Sequence, residues 1–195
     1  MKFLKGLFGS GRKDASRAVS TRRITLRNPL IVRSPRIGFL NLAGSSAEMI
    51  LNQDKAILGP LFSLIEQSDR NPPVCDVLFI YGHLEGNGRF TDHSEGLRDI
   101  IRKSNASVVI VASENEADNY LAASTHTGYG RANLVMTLQR KEGAFASFFS
   151  QLFDKMFNGK SMLVAWVELA PQIPGATHEN CPETIFAAEI SHIIF

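Results

Sequence analysis

The chain has 195 residues, 44% hydrophobic and 21% charged, which suits one globular domain with a substantial core. Its only cysteines, Cys75 and Cys181, have no CxxC spacing, which excludes a disulfide framework and indicates a reducing, cytoplasmic location. No apolar run approaches the roughly 20 residues of a membrane span, so we expect no transmembrane segment.

The net charge of +2 conceals an uneven distribution along the chain. Residues 1–36 hold ten basic residues against the single acidic Asp14, whereas the remainder carries a net charge of −7. We therefore predict a flexible basic arm over residues 1–23, followed by a single α/β domain over residues 24–195. Such an arm suits an acidic protein, non-specific contact with nucleic acid, or peripheral association with an anionic membrane surface.

The first half of the predicted domain starts with short extended segments and continues with a strand and a helix. Residues 24–33 predict a hairpin or a single edge strand, and residues 36–42 predict the first core strand. The turn over residues 43–46 supplies a helix-capping serine. The pattern then indicates a helix as far as Gln67, interrupted at Gly59-Pro60.

The rest of the chain alternates between strands and helices. Strands are predicted over residues 74–81, 107–112, 133–138 and 185–195. Helices are predicted over residues 94–103, 145–157 and 161–169, the second from a phenylalanine stripe at three- and four-residue intervals. Continuously apolar strands are typical of a parallel sheet covered on both faces. The fold class is therefore a three-layer α/β sandwich with a mostly parallel sheet.

Two candidate site residues lie where neighbouring predicted strands end. His83 follows the run Val77–Tyr81 and Gly82, and Ser113 follows the run Val108–Ala112. Ligand chemistry in open α/β sheets lies at the carboxyl ends of the strands. We therefore expect His83 and Ser113 to face one another.

Residues 37–190 resemble a caspase-like domain of the CHAT type, a group of bacterial cysteine peptidases. Members carry a strand ending in His-Gly, then a strand ending in Ala-Cys-Glu, and later a Phe-rich helix followed by Gly-Lys. The matching segments here are His83, Ala112-Ser113-Glu114, Leu134-Val135-Met136, Phe145–Phe157, Gly159-Lys160-Ser161, Pro182 and Ile185-Phe186-Ala187. The resemblance implies a caspase-like fold and places a catalytic pair at His83 and Ser113.

Two departures from this pattern bear on catalysis. Ser113 stands where the family has its nucleophilic cysteine, and Leu84 stands where a glycine follows the histidine. A thiol ionises near pH 8.5, whereas a serine hydroxyl needs an aligned base, usually oriented by a carboxylate. We therefore expect a pseudo-peptidase that works as a protein-interaction or scaffold module, for instance in bacterial defence or signalling.

Two other functions remain open on the sequence alone. A serine hydrolase would use Ser113 and His83, with Glu114, Glu116 or Asp118 orienting the histidine. An α/β nucleotide-binding module would use Gly86–Arg89 or Gly128–Arg131, although neither completes a phosphate-binding signature. We expect no cofactor and no metal, because zinc needs three or four convergent ligands, which segments such as His178–Cys181 do not supply.

Overall fold

The computed structural model describes residues 29–125, 132–170, 181–190 and 192–195. A six-stranded sheet has the order β3-β2-β4-β5-β6-β7, in which only β7 is antiparallel to its neighbour. Its strands are β2 (Arg36–Asn41), β3 (Leu64–Ser68), β4 (Val77–Tyr81), β5 (Val108–Val111), β6 (Asn133–Gln139) and β7 (Glu183–Ala187). The predicted mostly parallel sheet is confirmed.

Helices cover both faces of this sheet and complete a three-layer α/β sandwich, as predicted. The helices are α1 (Ser45–Leu58), α2 (Leu97–Ser104), α3 (Ala117–Thr125), α4 (Ala144–Phe157) and α5 (Met162–Leu169). Side chains from α1, α4 and α5 share one core cluster with alternate strand residues, whereas α2 and Tyr120 of α3 belong to the other. None of the described helices is long and apolar enough to cross a bilayer.

The central strands are buried on both faces because their sequences are continuously apolar. Every residue of β4 and β5 is buried, and Phe79 of β4 packs against Phe145, Phe149 and Phe153 of α4. The phenylalanine stripe thus forms core, as its helical spacing predicts. The helix ends near Gly159, which has a φ of +85° that favours glycine.

Several local predictions are wrong. Residues Leu64–Ser68 form the edge strand β3 instead of continuing a helix, and a short 3₁₀ turn at Gly59–Leu61 separates β3 from α1. Helix α1 begins after Gly44 with no side-chain cap, and the Ser46 hydroxyl donates to the Ala43 carbonyl instead. Helix α3 was not predicted at all.

The two ends of the domain also differ from expectation. Strand β1 (Leu30–Ile31) pairs in parallel with β8 (Ile193–Ile194) in a separate two-stranded sheet. The predicted final strand is therefore two strands, β7 and β8. The predicted arm, the first half of the predicted hairpin, and Gly128–Arg131 lie outside the described residues.

Candidate functional site

A groove of about 900 Å³ lies at the carboxyl ends of four parallel strands. The chain passes from β2 to the edge strand β3 and then returns to β4 on the other side of β2, so the strand order reverses direction there. Open α/β sheets bind ligands at such a reversal. The groove is lined by segments that follow the strands, by α1 and by the start of α4: Ala43, Ser46, Ala47, Ile50, Gln53, Asp54, Ile57, Tyr81, His83, Ala112, Ser113, Glu114, Arg140, Glu142, Gly143 and Ala146.

Both predicted site residues, His83 and Ser113, line this groove. They follow the adjacent parallel strands β4 and β5, whose ladder brings the two strand ends together. The His83 side chain is exposed and Ser113 is half-buried. Two residues 30 positions apart in sequence therefore share one surface.

The hydrogen bonds at this surface are not those of a nucleophile and its base. The Gly82 N–H donates to Ser113 Oγ at 2.9 Å. Within the described residues, no hydrogen bond joins the His83 imidazole to Ser113 or to a carboxylate. Glu114, one of the predicted orienting groups, instead accepts a hydrogen bond of 2.7 Å from the Arg140 backbone N–H. A serine hydrolase needs a base bonded to the hydroxyl and oriented by a third group.

The backbone after His83 is fixed by a buried asparagine. The Leu84 N–H donates to Asn115 Oδ1 at 2.6 Å, and Asn115 Nδ2 donates to the Ser113 carbonyl at 3.1 Å. The Tyr120 hydroxyl accepts from Asn115 Nδ2 at 3.1 Å and donates to the Thr137 carbonyl at 3.0 Å. The amide at the position where the family pattern has glycine is thus already paired.

A buried ion pair forms the floor of the groove, and sequence reasoning missed it. Arg140 Nη2 lies 2.8 Å from each carboxylate oxygen of Asp54, and the Tyr81 hydroxyl donates to Asp54 Oδ2 at 2.7 Å. Arg140 Nη1 donates to the Ala112 carbonyl at 2.8 Å, and the guanidinium carbon lies 3.8 Å from the centre of the Phe145 ring. Asp54 is 2% exposed and Arg140 is 9% exposed.

Burial dominates the electrostatics of this floor. It raises the pKa of the Asp54 carboxyl, and the Arg140 guanidinium and the Tyr81 hydroxyl offset part of that rise. Burial, together with the adjacent Asp54 carboxylate, raises the pKa of Tyr81 well above its usual value. A polar residue on the inner side of α1 was the only available signal for Asp54, because its partner lies 86 residues away in sequence.

The turn that brings Arg140 and Glu142 to the groove contains two residues in an unfavourable backbone conformation. Lys141 and Glu142 have φ values of 53° and 50°, a left-handed conformation that costs non-glycine residues roughly 1 kcal/mol each. Gly143 follows with an ordinary helical backbone, and a Cβ there would meet no atom within 4 Å. A larger side chain can therefore be placed at Gly143 without steric conflict at its Cβ.

The other candidate sites, the loop Gly86–Arg89 and the segment His178–Cys181, show no arrangement of groups within the described residues that would bind a nucleotide or a metal. In the loop Gly86–Arg89, the Gly88 N–H donates to the Glu85 carbonyl and the Arg89 N–H donates to Asn87 Oδ1. Those two amides are thus used within the loop. The described residues contain no group of three metal-ligating side chains, and His178–Asn180 lie outside them.

No family model matches the chain, and no curated protein is significantly similar to it. The site is therefore interpreted from its own geometry.

Proposed function

We propose that this chain is a catalytically inactive caspase-like domain that acts through protein contacts at the groove. The observation that carries the proposal is the Ser113 hydroxyl, which is bonded to the Gly82 amide and not to His83. A hydroxyl without a bonded base is a poor nucleophile at neutral pH. The paired Leu84 amide further supports the loss of an oxyanion-stabilising geometry.

The shape of the groove supports a role in binding. Its volume of about 900 Å³ is within the range of ligand pockets, and its walls combine apolar with polar groups. Ile50 and Ile57 lie seven residues apart along α1, and Ile57 is 47% exposed. Exposed apolar side chains beside fixed polar groups suit a peptide segment. By the family resemblance, a defence or signalling assembly would supply this segment.

The absence of catalysis is tested with a fluorophosphonate probe and a panel of peptide and ester substrates on the full chain. We expect neither labelling nor turnover, and Ser113→Ala should behave like the wild type. Labelling or hydrolysis that disappears in Ser113→Ala would overturn the proposal in favour of a serine hydrolase. His83→Ala would then separate base-assisted attack from adventitious acylation.

Binding is tested with a display library of peptides selected against the full chain. Gly143→Trp should fill the mouth of the groove and abolish binding of the selected peptides. Gly143→Ala is the matched control, since it adds a side chain at the same position with nothing within 4 Å of its Cβ. Binding that survives Gly143→Trp would place the contact surface elsewhere.

A further inference from the structure

We infer that the groove is covered by the basic N-terminal segment of the same chain, residues 1–28. This inference rests on the proposed function, because it names an occupant for the groove assigned to protein contacts. The segment lies outside the described residues, which begin at Pro29. It would act as an internal competitor that a partner must displace.

Charge complementarity favours this pairing. Residues 1–28 contain eight Lys or Arg residues and one Asp, a net charge of +7, whereas residues 29–195 carry −5. The groove is lined by three carboxylates, Asp54, Glu114 and Glu142, and one guanidinium, Arg140. Arg140 is committed to Asp54, so Glu114 and Glu142 give the groove an excess of negative charge.

Both carboxylates are accessible to an incoming cation. Glu114 and Glu142 are exposed, and neither forms an ion pair within the described residues. The left-handed backbone of Glu142 lies in the turn that borders the groove. The negative charges of Glu114 and Glu142 at the groove attract a basic segment and set its position.

The segment also matches the apolar part of the groove. Its first eight residues, Met1-Lys2-Phe3-Leu4-Lys5-Gly6-Leu7-Phe8, combine five large apolar side chains with two lysines. Ile50 and Ile57 of α1 offer apolar surface in the groove. Phenylalanine or leucine side chains would cover this surface while the basic residues face Glu114 and Glu142.

The length of the segment allows the contact. An extended chain of 28 residues reaches about 90 Å. A domain of this size has a radius of gyration of about 15 Å. Reach therefore does not limit the contact.

Carbodiimide cross-linking of the full chain tests the contact, because it joins a lysine ammonium directly to a neighbouring carboxylate. We expect cross-links from Lys2, Lys5 or Lys13 to Glu114 or Glu142 in the monomer, at yields several-fold above those to other carboxylates. Gly143→Trp keeps every reactive group and should remove these cross-links, whereas Gly143→Ala should retain them. Raising the salt concentration should also lower the yield.

Hydrogen exchange supplies a second readout that needs no reactive side chain. Replacing Glu114 and Glu142 with glutamine should weaken the contact by about two- to fivefold per carboxylate and raise exchange along Ser45–Leu58. The control is Asp69→Asn with Glu189→Gln, which changes the net charge equally at exposed positions that do not line the groove. Equal exchange in the two double variants would overturn the inference.

The outcomes separate this inference from the proposed function. Cross-links spread evenly over the acidic surface would overturn the inference and leave groove binding of displayed peptides intact. Cross-links found only in covalent dimers would overturn the intramolecular contact and assign the groove to the arm of a second copy. An evenly spread pattern together with binding to phosphatidylserine vesicles would make the arm a membrane contact. Hydrolysis lost in Ser113→Ala would overturn only the proposed function.

Discussion

The ion pair between Asp54 and Arg140 offers a quantitative test of how the groove is held together. Arg140→Leu removes two hydrogen bonds to Asp54, the bond to the Ala112 carbonyl and the contact with Phe145. It leaves a carboxyl group that is 2% exposed beside a single remaining donor, Tyr81. Removing one partner of a buried pair costs about 3–5 kcal/mol. With an m-value of about 2 kcal/mol per molar urea, the midpoint should fall by about 2 M.

The direction of the Asp54 pKa shift determines how the stability deficit of Arg140→Leu changes with pH. Burial holds the pKa of the folded state above the usual 3.8, so the folded state binds this proton more tightly than the unfolded chain. The contribution of Asp54 to stability is therefore greatest below about pH 4 and declines as the pH rises through the folded pKa. Losing Arg140 raises that pKa further, so the deficit of the variant should be large at pH 7 and shrink towards pH 4.

Urea unfolding followed by circular dichroism at both pH values measures this effect. Asp54→Leu combined with Arg140→Leu removes both charges and should recover much of the lost stability, since an apolar pair avoids the desolvation cost. This double variant also tests the reasoning if Arg140→Leu alone fails to fold. A single-variant midpoint within about 0.5 M of the wild type, or a deficit that does not change with pH, would refute the reasoning.

Three further predictions concern the scaffold around the groove. Asn115→Ala should destabilise the fold by about 1–3 kcal/mol in urea unfolding, because it leaves the buried Leu84 amide unpaired; a loss of stability smaller than that caused by Gly143→Ala would contradict this role. Gly38→Ala should cost about 1–3 kcal/mol, because a Cβ there would lie 2.7 Å from Cys75 Sγ; an unchanged melting temperature would count against that packing. Cys75 should resist iodoacetamide at pH 8 in the native protein, because burial raises its pKa to about 12; mass spectrometry showing rapid native labelling would contradict this.

Sequence patterns were sufficient to predict the strands and helices whose residue types are determined mainly by burial. The continuous apolar runs of β4 and β5 and the phenylalanine stripe of α4 record which faces are covered, so their identities and the parallel sheet followed directly. The same reasoning placed His83 and Ser113 at neighbouring strand ends, and the structure brings both to one groove. It failed at Leu64–Ser68, where Leu64 and Ile65 continue the helical spacing of the preceding apolar residues but belong to an edge strand beside β2.

Tertiary structure alone decided what the groove contains. Asp54 and Arg140 are 86 residues apart, and their pairing depends on how α1 packs over the end of β6, which no local pattern encodes. The commitment of Asn115 to the Leu84 amide likewise depends on two loops meeting 31 residues apart. The sequence by itself determined the class of fold and the edge of the sheet that carries the site. The hydrogen bonds and desolvation at that edge exist only after distant segments are packed together, because both depend on three-dimensional proximity and exclusion of water.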